Sequence, residues 1–168
     1  MSHPCFELCK YLGKWYELAH GESWFESSCS YNTTAEYTLK SDGNVHVCNK
    51  TWENGKEILS NGTAHPLSEK NMFHVHFEMP EQAKVSEFFG TIPNNAMGDM
   101  HSPNYIVHKI WCWDGHYKIA LVTNEDKSNF WVLSRDPHLS ARLYGEVMCY
   151  VSEVFGCKNV RQTPHYKC

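Results

Sequence analysis

Three dipeptides set the terms on which this chain can fold. Asp42-Gly43, Asn54-Gly55 and Asp114-Gly115 each separate two runs in which apolar and polar residues alternate. Asn-Gly or Asp-Gly in that setting is the strongest short-range signal for a β-hairpin, because both central turn residues take positive φ at little cost. Hairpins in succession make an up-and-down meander the economical topology. Period-two patterning predicts strands over 13–20, 33–40, 44–52, 56–65, 71–79, 105–113, 117–123 and 130–135. Eight antiparallel strands are the number at which a closed barrel encloses one small ligand.

The rhythm changes twice. Residues 21–32 are rich in Ser, Gly and Asn and read as a long loop. Residues 80–104 hold Pro80, Gly90, Pro93, Asn94, Asn95, Gly98 and Pro103 around one apolar island, Val85 to Ile92. A connection this long inside a compact domain is usually functional or disordered. Phe88, Phe89, Ile92, Met97 and Met100 give it enough apolar surface to fold over a ligand, with Gly90 and Gly98 as pivots. The expectation is therefore a lid. After residue 135 the period becomes helical: Leu139, Leu143, Val147, Tyr150, Val151 and Val154 recur at three- and four-residue steps. Asp136-Pro137 predicts the start of that helix and Gly156 its stop, giving a helix over about 137–155. The tail 156–168 reads as an extended segment pinned to the barrel. One domain over 1–168 accounts for all of these parts.

Composition removes several functions. Charged residues make up 20% of the chain, 15 basic against 19 acidic, with no long run of one sign, so nucleic acid is not expected as a partner. No stretch approaches the roughly 20 apolar residues that span a bilayer, and Met1–Cys5 lacks the apolar core of a signal peptide. The expected location is thus cytosolic, or extracellular with a leader removed. The 8 cysteines favour the oxidising, secretory-type setting, since none shows metal-type Cys-x-x-Cys spacing. Asn32-Thr33-Thr34, Asn49-Lys50-Thr51 and Asn61-Gly62-Thr63 would be glycosylation acceptors there. Of the 11 histidines, His74 and His76 have the two-residue strand spacing that can chelate a metal. They alternate with Phe73, Val75 and Phe77, which places both on the wet face, and no metal or other cofactor is expected. No Ser-His-Asp or phosphate-loop signature is visible, and no enzyme activity is expected.

Two further segments carry a resemblance. Tyr11-Leu12-Gly13-Lys14-Trp15-Tyr16-Glu17 near the start and Trp131-Val132-Leu133-Ser134-Arg135-Asp136-Pro137 before the helix, with Tyr37-Thr38-Leu39 and Ala120-Leu121-Val122 between them, resemble the lipocalin family. The likeness is to the branch that contains the bacterial outer-membrane lipoprotein lipocalins and apolipoprotein D, and it runs over nearly the whole chain. It implies an all-β fold: an eight-stranded antiparallel up-and-down barrel with one C-terminal α-helix on its wall. Gly13 and Trp15 then open the first strand, and Arg135 lies across Trp15 to seal the floor. The family's usual Thr-Asp-Tyr between the sixth and seventh strands is replaced here by Trp111-Cys112-Trp113-Asp114-Gly115-His116-Tyr117.

What the resemblance implies for function is binding, transport or sequestration of a small hydrophobic molecule, a fatty acid or lysophospholipid first. Tetrapyrroles such as bilin or haem, carotenoids, and a family-type enzyme using Cys48 or Cys112 in the cavity are alternatives, and a module displaying its loops to a protein receptor would have a collapsed cavity. By the family pattern Trp131 and Leu133 face inward. Tyr37, Leu39, Val45, Val47, Phe73, Val75, Phe77 and, from the lid, Phe89 complete the candidate ligand contacts. The resemblance also implies one disulfide between Cys29 and Cys168 and a second from Cys9 or Cys5 to Cys112. Peripheral contact with a membrane and a monomer or weak dimer complete the expectation on partners.

Overall fold

A computed structural model describes residues 6–21, 29–78, 101–156 and 160–167. A short helix, α1 (Leu8–Tyr11), precedes eight antiparallel strands: β1 (Gly13–Gly21), β2 (Tyr31–Leu39), β3 (Val45–Glu53), β4 (Lys56–Pro66), β5 (Met72–Phe77), β6 (Tyr105–Trp113), β7 (His116–Thr123) and β8 (Phe130–Ser134). Neighbours in sequence pair with one another, and β1 pairs with both β8 and β2, which closes the barrel. The turn chemistry follows the sequence at two of the three hairpins; at Asp42-Gly43 only Gly43 takes a positive φ, 86°, and Lys40 N donates to Asn44 O across a longer loop. Asn54 and Gly55 have φ of 51° and 75°, and Asp114 and Gly115 have 52° and 75°, the two positive values that a type I′ hairpin requires.

Closure on the β1–β2 seam is partial. Gly13 to Tyr16 pair with β2, whereas Ala19, His20 and Gly21 pair with a ninth strand, β9 (Val160–Gln162), from the C-terminal tail. The tail is therefore a strand of the sheet. It is held further by Thr163 Oγ1 donating to Glu17 Oε2 at 2.8 Å and by His165 Nε2 against the carbonyl of Glu17 at 2.6 Å.

The long helix, α2 (Ala141–Phe155), starts later than Asp136-Pro137 suggested. Asp136 instead accepts from His138 N at 2.9 Å in a tight turn, and Ser140 is the N-cap, its Oγ accepting from Leu143 N. Both are side chains suited to capping, and the turn closed by Asp136 uses up Pro137 before the helix begins. Gly156, with φ of 74°, ends it. Val147, Val151 and Phe155 pack on Leu18, Ile119, Leu121, Phe130 and Val132, the outward residues of β1, β7 and β8. The inward residues of the same strands, Trp15, Ala120, Val122, Trp131 and Leu133, belong to a separate core inside the barrel. Strand alternation thus divides one sheet between two cores.

Candidate functional site

One end of the barrel is sealed by α1 and Arg135. The guanidinium lies 3.8 Å from the centroid of the Trp15 ring. It donates to the carbonyls of Lys14, Lys10, Tyr11 and Leu12 at 2.8–3.2 Å. The planar fork lets one side chain stack on an aromatic face and satisfy the orphan carbonyls of a helix end together. Gly13, at φ +97°, runs beneath it, and a Cβ there would meet Arg135 Nη1 at 3.4 Å. Trp15 Nε1 donates to Tyr11 O at 2.7 Å.

Above the seal, three tyrosines bring their hydroxyls together. Tyr105 Oη lies 2.5 Å from Tyr11 Oη and 2.7 Å from Tyr37 Oη. Burial pushes all three phenols above their ordinary range, so the three hydroxyls stay protonated at physiological pH.

Beside the tyrosines lies an apolar slot. Leu8 and Tyr11 bound it at the sealed end, and Val45, Val47 and Asn49 of β3 mark its course up the wall. Ala64 of β4 and Phe73, Val75 and Phe77 of β5 form the rest of that side. Gly62 pairs with Phe77, and a Cβ on it would come within 2.6 Å of the His76 carbonyl oxygen and 2.8 Å of the Phe77 ring; glycine is what lets the backbones approach this closely. The slot is a narrow cleft of about 450 Å³, counting the space open to solvent at its edge. A wider groove, of about 1020 Å³ on the same count, lies outside the wall between the start of α2 and the tail, lined by Leu18, Leu139 and Tyr144 but also by His138, Gln162 and His165. The slot is the better candidate despite its size, since an apolar lining inside a barrel is what holds an apolar molecule away from water.

Asn49 is the polar exception. It is 1% exposed, and its Oδ1 has no hydrogen-bond partner. Ser60, directly opposite it on β4 and 4% exposed, likewise has an unpartnered Oγ. Farther up β3, Thr51 Oγ1 has Thr33 Oγ1 at 2.7 Å.

Tyr37, Val45, Val47, Phe73, Val75 and Phe77 border the slot. Trp131 and Leu133 point into the barrel but are consumed in packing its interior. Leu39 does not face inward. It is 53% exposed at the end of β2, where the strand runs past the sealed end and no opposite wall covers it. Phe89 and the expected lid lie outside the described residues. The foot of that connection is described: Asn104 accepts from Val75 N and donates to Val75 O, binding β5 as a strand residue would. His76 is exposed as alternation required, but His74 is buried at 4%, its Nδ1 2.9 Å from the carbonyl of Ser102. The returning chain covers it. Among the described residues no cluster of three metal-ligating side chains forms.

Residues 6–163 match the family described as "Lipocalin-like domain". This chain is a lipocalin. It is 33% identical over 159 residues to temperature-induced lipocalin-1 of Arabidopsis thaliana, covering 92% of this chain and 77% of that one. It is 29% identical over 143 residues to outer membrane lipoprotein Blc of Escherichia coli, covering 85% and 70%. With apolipoprotein D of Bos taurus it shares 27% over 164 residues, 92% and 72% of the two chains. Among solved structures, the cockroach allergen Per a 4 superposes with a TM-score of 0.64 at 17% identity, covering 96% of this chain and 90% of that one. Apocrustacyanin C2 gives 0.60 at 13% identity, with coverage of 94% and 79%; both establish the lipocalin fold.

As a lipocalin the chain binds small hydrophobic molecules, and no cysteine is among the described residues that line the slot. Cys48 sits between inward Val47 and Asn49 and so takes the outer face of β3. Cys9 and Cys112 are exposed free thiols, so the expected bridge between them is not formed. Cys29 is exposed, and Cys5 and Cys168 lie outside the described residues. Of the three sequons, Asn49-Lys50-Thr51 cannot accept a glycan in the folded protein, because Asn49 is inside the barrel. Leu8, Tyr11, Asn49, Ala64 and Tyr105 were not foreseen in the slot. Strand alternation from Val45 and Val47 already placed Asn49 inward; the tyrosine cluster is a tertiary meeting of residues up to 94 positions apart.

Proposed function

We propose that this lipocalin binds and carries, or sequesters, a single-chain amphiphile, a fatty acid or lysophospholipid, with its hydrocarbon chain in the slot. The observation that carries the reading is the slot's shape and lining: long along β3, narrow, and walled by valine, leucine and aromatic side chains. A flexible chain can enter such a slot with small side-chain shifts, whereas a rigid tetrapyrrole needs a wide cleft. No histidine is among the described residues that line it, and a haem iron would need an axial ligand. An extracellular-type setting belongs to this proposal, supported by the likeness to an outer membrane lipoprotein and to apolipoprotein D.

Titration with palmitate and with palmitoyl-lysophosphatidylcholine tests the reading. Trp131 and Trp15 are buried in the interior, so tryptophan emission should change on binding, and both lipids should displace an apolar fluorescent probe. Failure of both lipids in both assays would refute it.

A further inference from the structure

Asn49 lines the upper end of the slot, and Ser60, just beyond the slot's lining, stands opposite it on the inner face of the barrel. Residues directly opposite in an antiparallel pair present their side chains side by side. Both are almost fully buried, and each has one oxygen with no partner. Leaving such an atom unpaired costs free energy, and natural interiors seldom tolerate it without a reason. Two such atoms on facing residues form an unfilled hydrogen-bonding station. Inside the barrel Thr33 and Thr51, Tyr11 and Tyr105, and Trp15 are all paired; the unpartnered buried atoms of His65 and Thr123 follow inward Ala64 and Val122 and so belong to the outer face of the sheet.

The station has a definite chemistry. Asn49 Oδ1 only accepts, so it asks for a donor. Ser60 Oγ can both donate and accept. A ligand hydroxyl satisfies the two together, giving its proton to Asn49 Oδ1 and receiving one from Ser60 Oγ. An ether or ester oxygen can accept from Ser60 but leaves Asn49 unpaired. An ionised carboxylate does worse, because it offers Asn49 no proton. Among the described residues lining the slot none is basic, so the charge would also be buried without compensation. The cation nearest the floor, Arg135, stacks on Trp15 and donates from Nη1 and Nη2 to four backbone carbonyls.

We infer that the Asn49–Ser60 pair selects, among single-chain lipids, those with a neutral hydroxyl at the end of the hydrocarbon: long-chain alcohols and hydroxyl-bearing glycerol lipids ahead of ionised fatty acids. The inference rests on the slot being the lipid site.

The test is displacement of an apolar fluorescent probe by three ligands of one chain length, hexadecanol, its O-methyl ether and palmitate, on the wild-type protein, Asn49→Leu and Ser60→Ala. Wild type should prefer the alcohol to the ether by about tenfold, the usual consequence of leaving one buried acceptor unpaired. It should rank palmitate below the alcohol at pH 8. Both substitutions should reduce the alcohol preference to about twofold or less while the ether's affinity is kept or improved. Ser60→Ala removes one oxygen and needs no repacking, so it decides the matter should Asn49→Leu not fold. Equal affinities for alcohol and ether in wild type would overturn the inference and leave the carrier reading standing. A preference that survives in Ser60→Ala and in folded Asn49→Leu would overturn the assignment to this pair. Displacement by none of the three would overturn the inference, and failure of palmitoyl-lysophosphatidylcholine as well would bring down the carrier reading.

Discussion

The two sides of the barrel interior are built from similar residues to opposite ends. On the β1, β7 and β8 side, Trp15, Trp131, Leu133 and Val122 are almost fully buried, and Trp15 Nε1 and the two terminal nitrogens of Arg135 have backbone partners. On the β2 to β5 side, Tyr37, Val45, Val47, Ala64 and Val75 stand back to leave a slot, and Asn49 and Ser60 are left with unpaired oxygens. Both sides are part of one core. Apolarity therefore does not separate packing from binding here; what separates them is whether the volume and the hydrogen bonds have been used up by the protein itself.

Substitutions should break the two sides differently. Trp15→Ala should have the largest effect on stability, about 3–5 kcal/mol, since it opens a cavity beneath Arg135 that nothing nearby can fill; chemical denaturation measures it. Arg135→Ala should cost less, about 1–3 kcal/mol, through lost stacking and unpaired carbonyls, and should leave lipid affinity within about twofold. An Arg135→Ala protein with wild-type stability and no binding would place that side chain in the ligand site. On the other side, Ala64→Phe should reverse the pattern. The ring would occupy the slot, at no more than the roughly 1–3 kcal/mol usual for added core volume, while affinity for palmitoyl-lysophosphatidylcholine should drop by about tenfold or more.

The smallest effect is a slope with pH. Burial holds the His165 imidazole below its ordinary range, against the opposing pull of the Glu17 carbonyl, and burial with the adjacent His76 does the same to His65. The unfolded chain therefore takes up protons first as pH falls below about 6.5, and stability should decline from there towards the folded-state values and level off beneath them. His165→Gln should make the fall in Tm between pH 7.5 and pH 5 shallower. An unchanged slope would mean that His165 is not held neutral.

Much of the frame was legible because it rests on local rules. Asp-Gly and Asn-Gly fix hairpins through backbone conformation alone, and alternation at Phe73, Val75 and Phe77 assigns a face without knowledge of what lies opposite. The misreadings share a different cause. Leu39 has the parity of Tyr37, but parity cannot tell where a strand outruns its neighbours. His74 has the outward parity of His76, yet the returning segment at Ser102 covers it. Asp136 has a capping side chain, and so has Ser140; only the turn between them decides which one starts the helix. The slot itself is a residual of packing: Val45 and Leu133 look alike in sequence, and only the shapes around them make one a lining residue and the other core.

The central claim is that lipid enters the slot and not the groove outside the wall. Intermolecular NOEs test it directly, between a methyl-labelled protein and the acyl chain of bound palmitoyl-lysophosphatidylcholine. The account predicts contacts to the methyl groups of Leu8, Val45, Val47 and Val75, with none to Leu18 or Leu139. Contacts confined to Leu18 and Leu139 would contradict it, leaving the barrel interior as core alone.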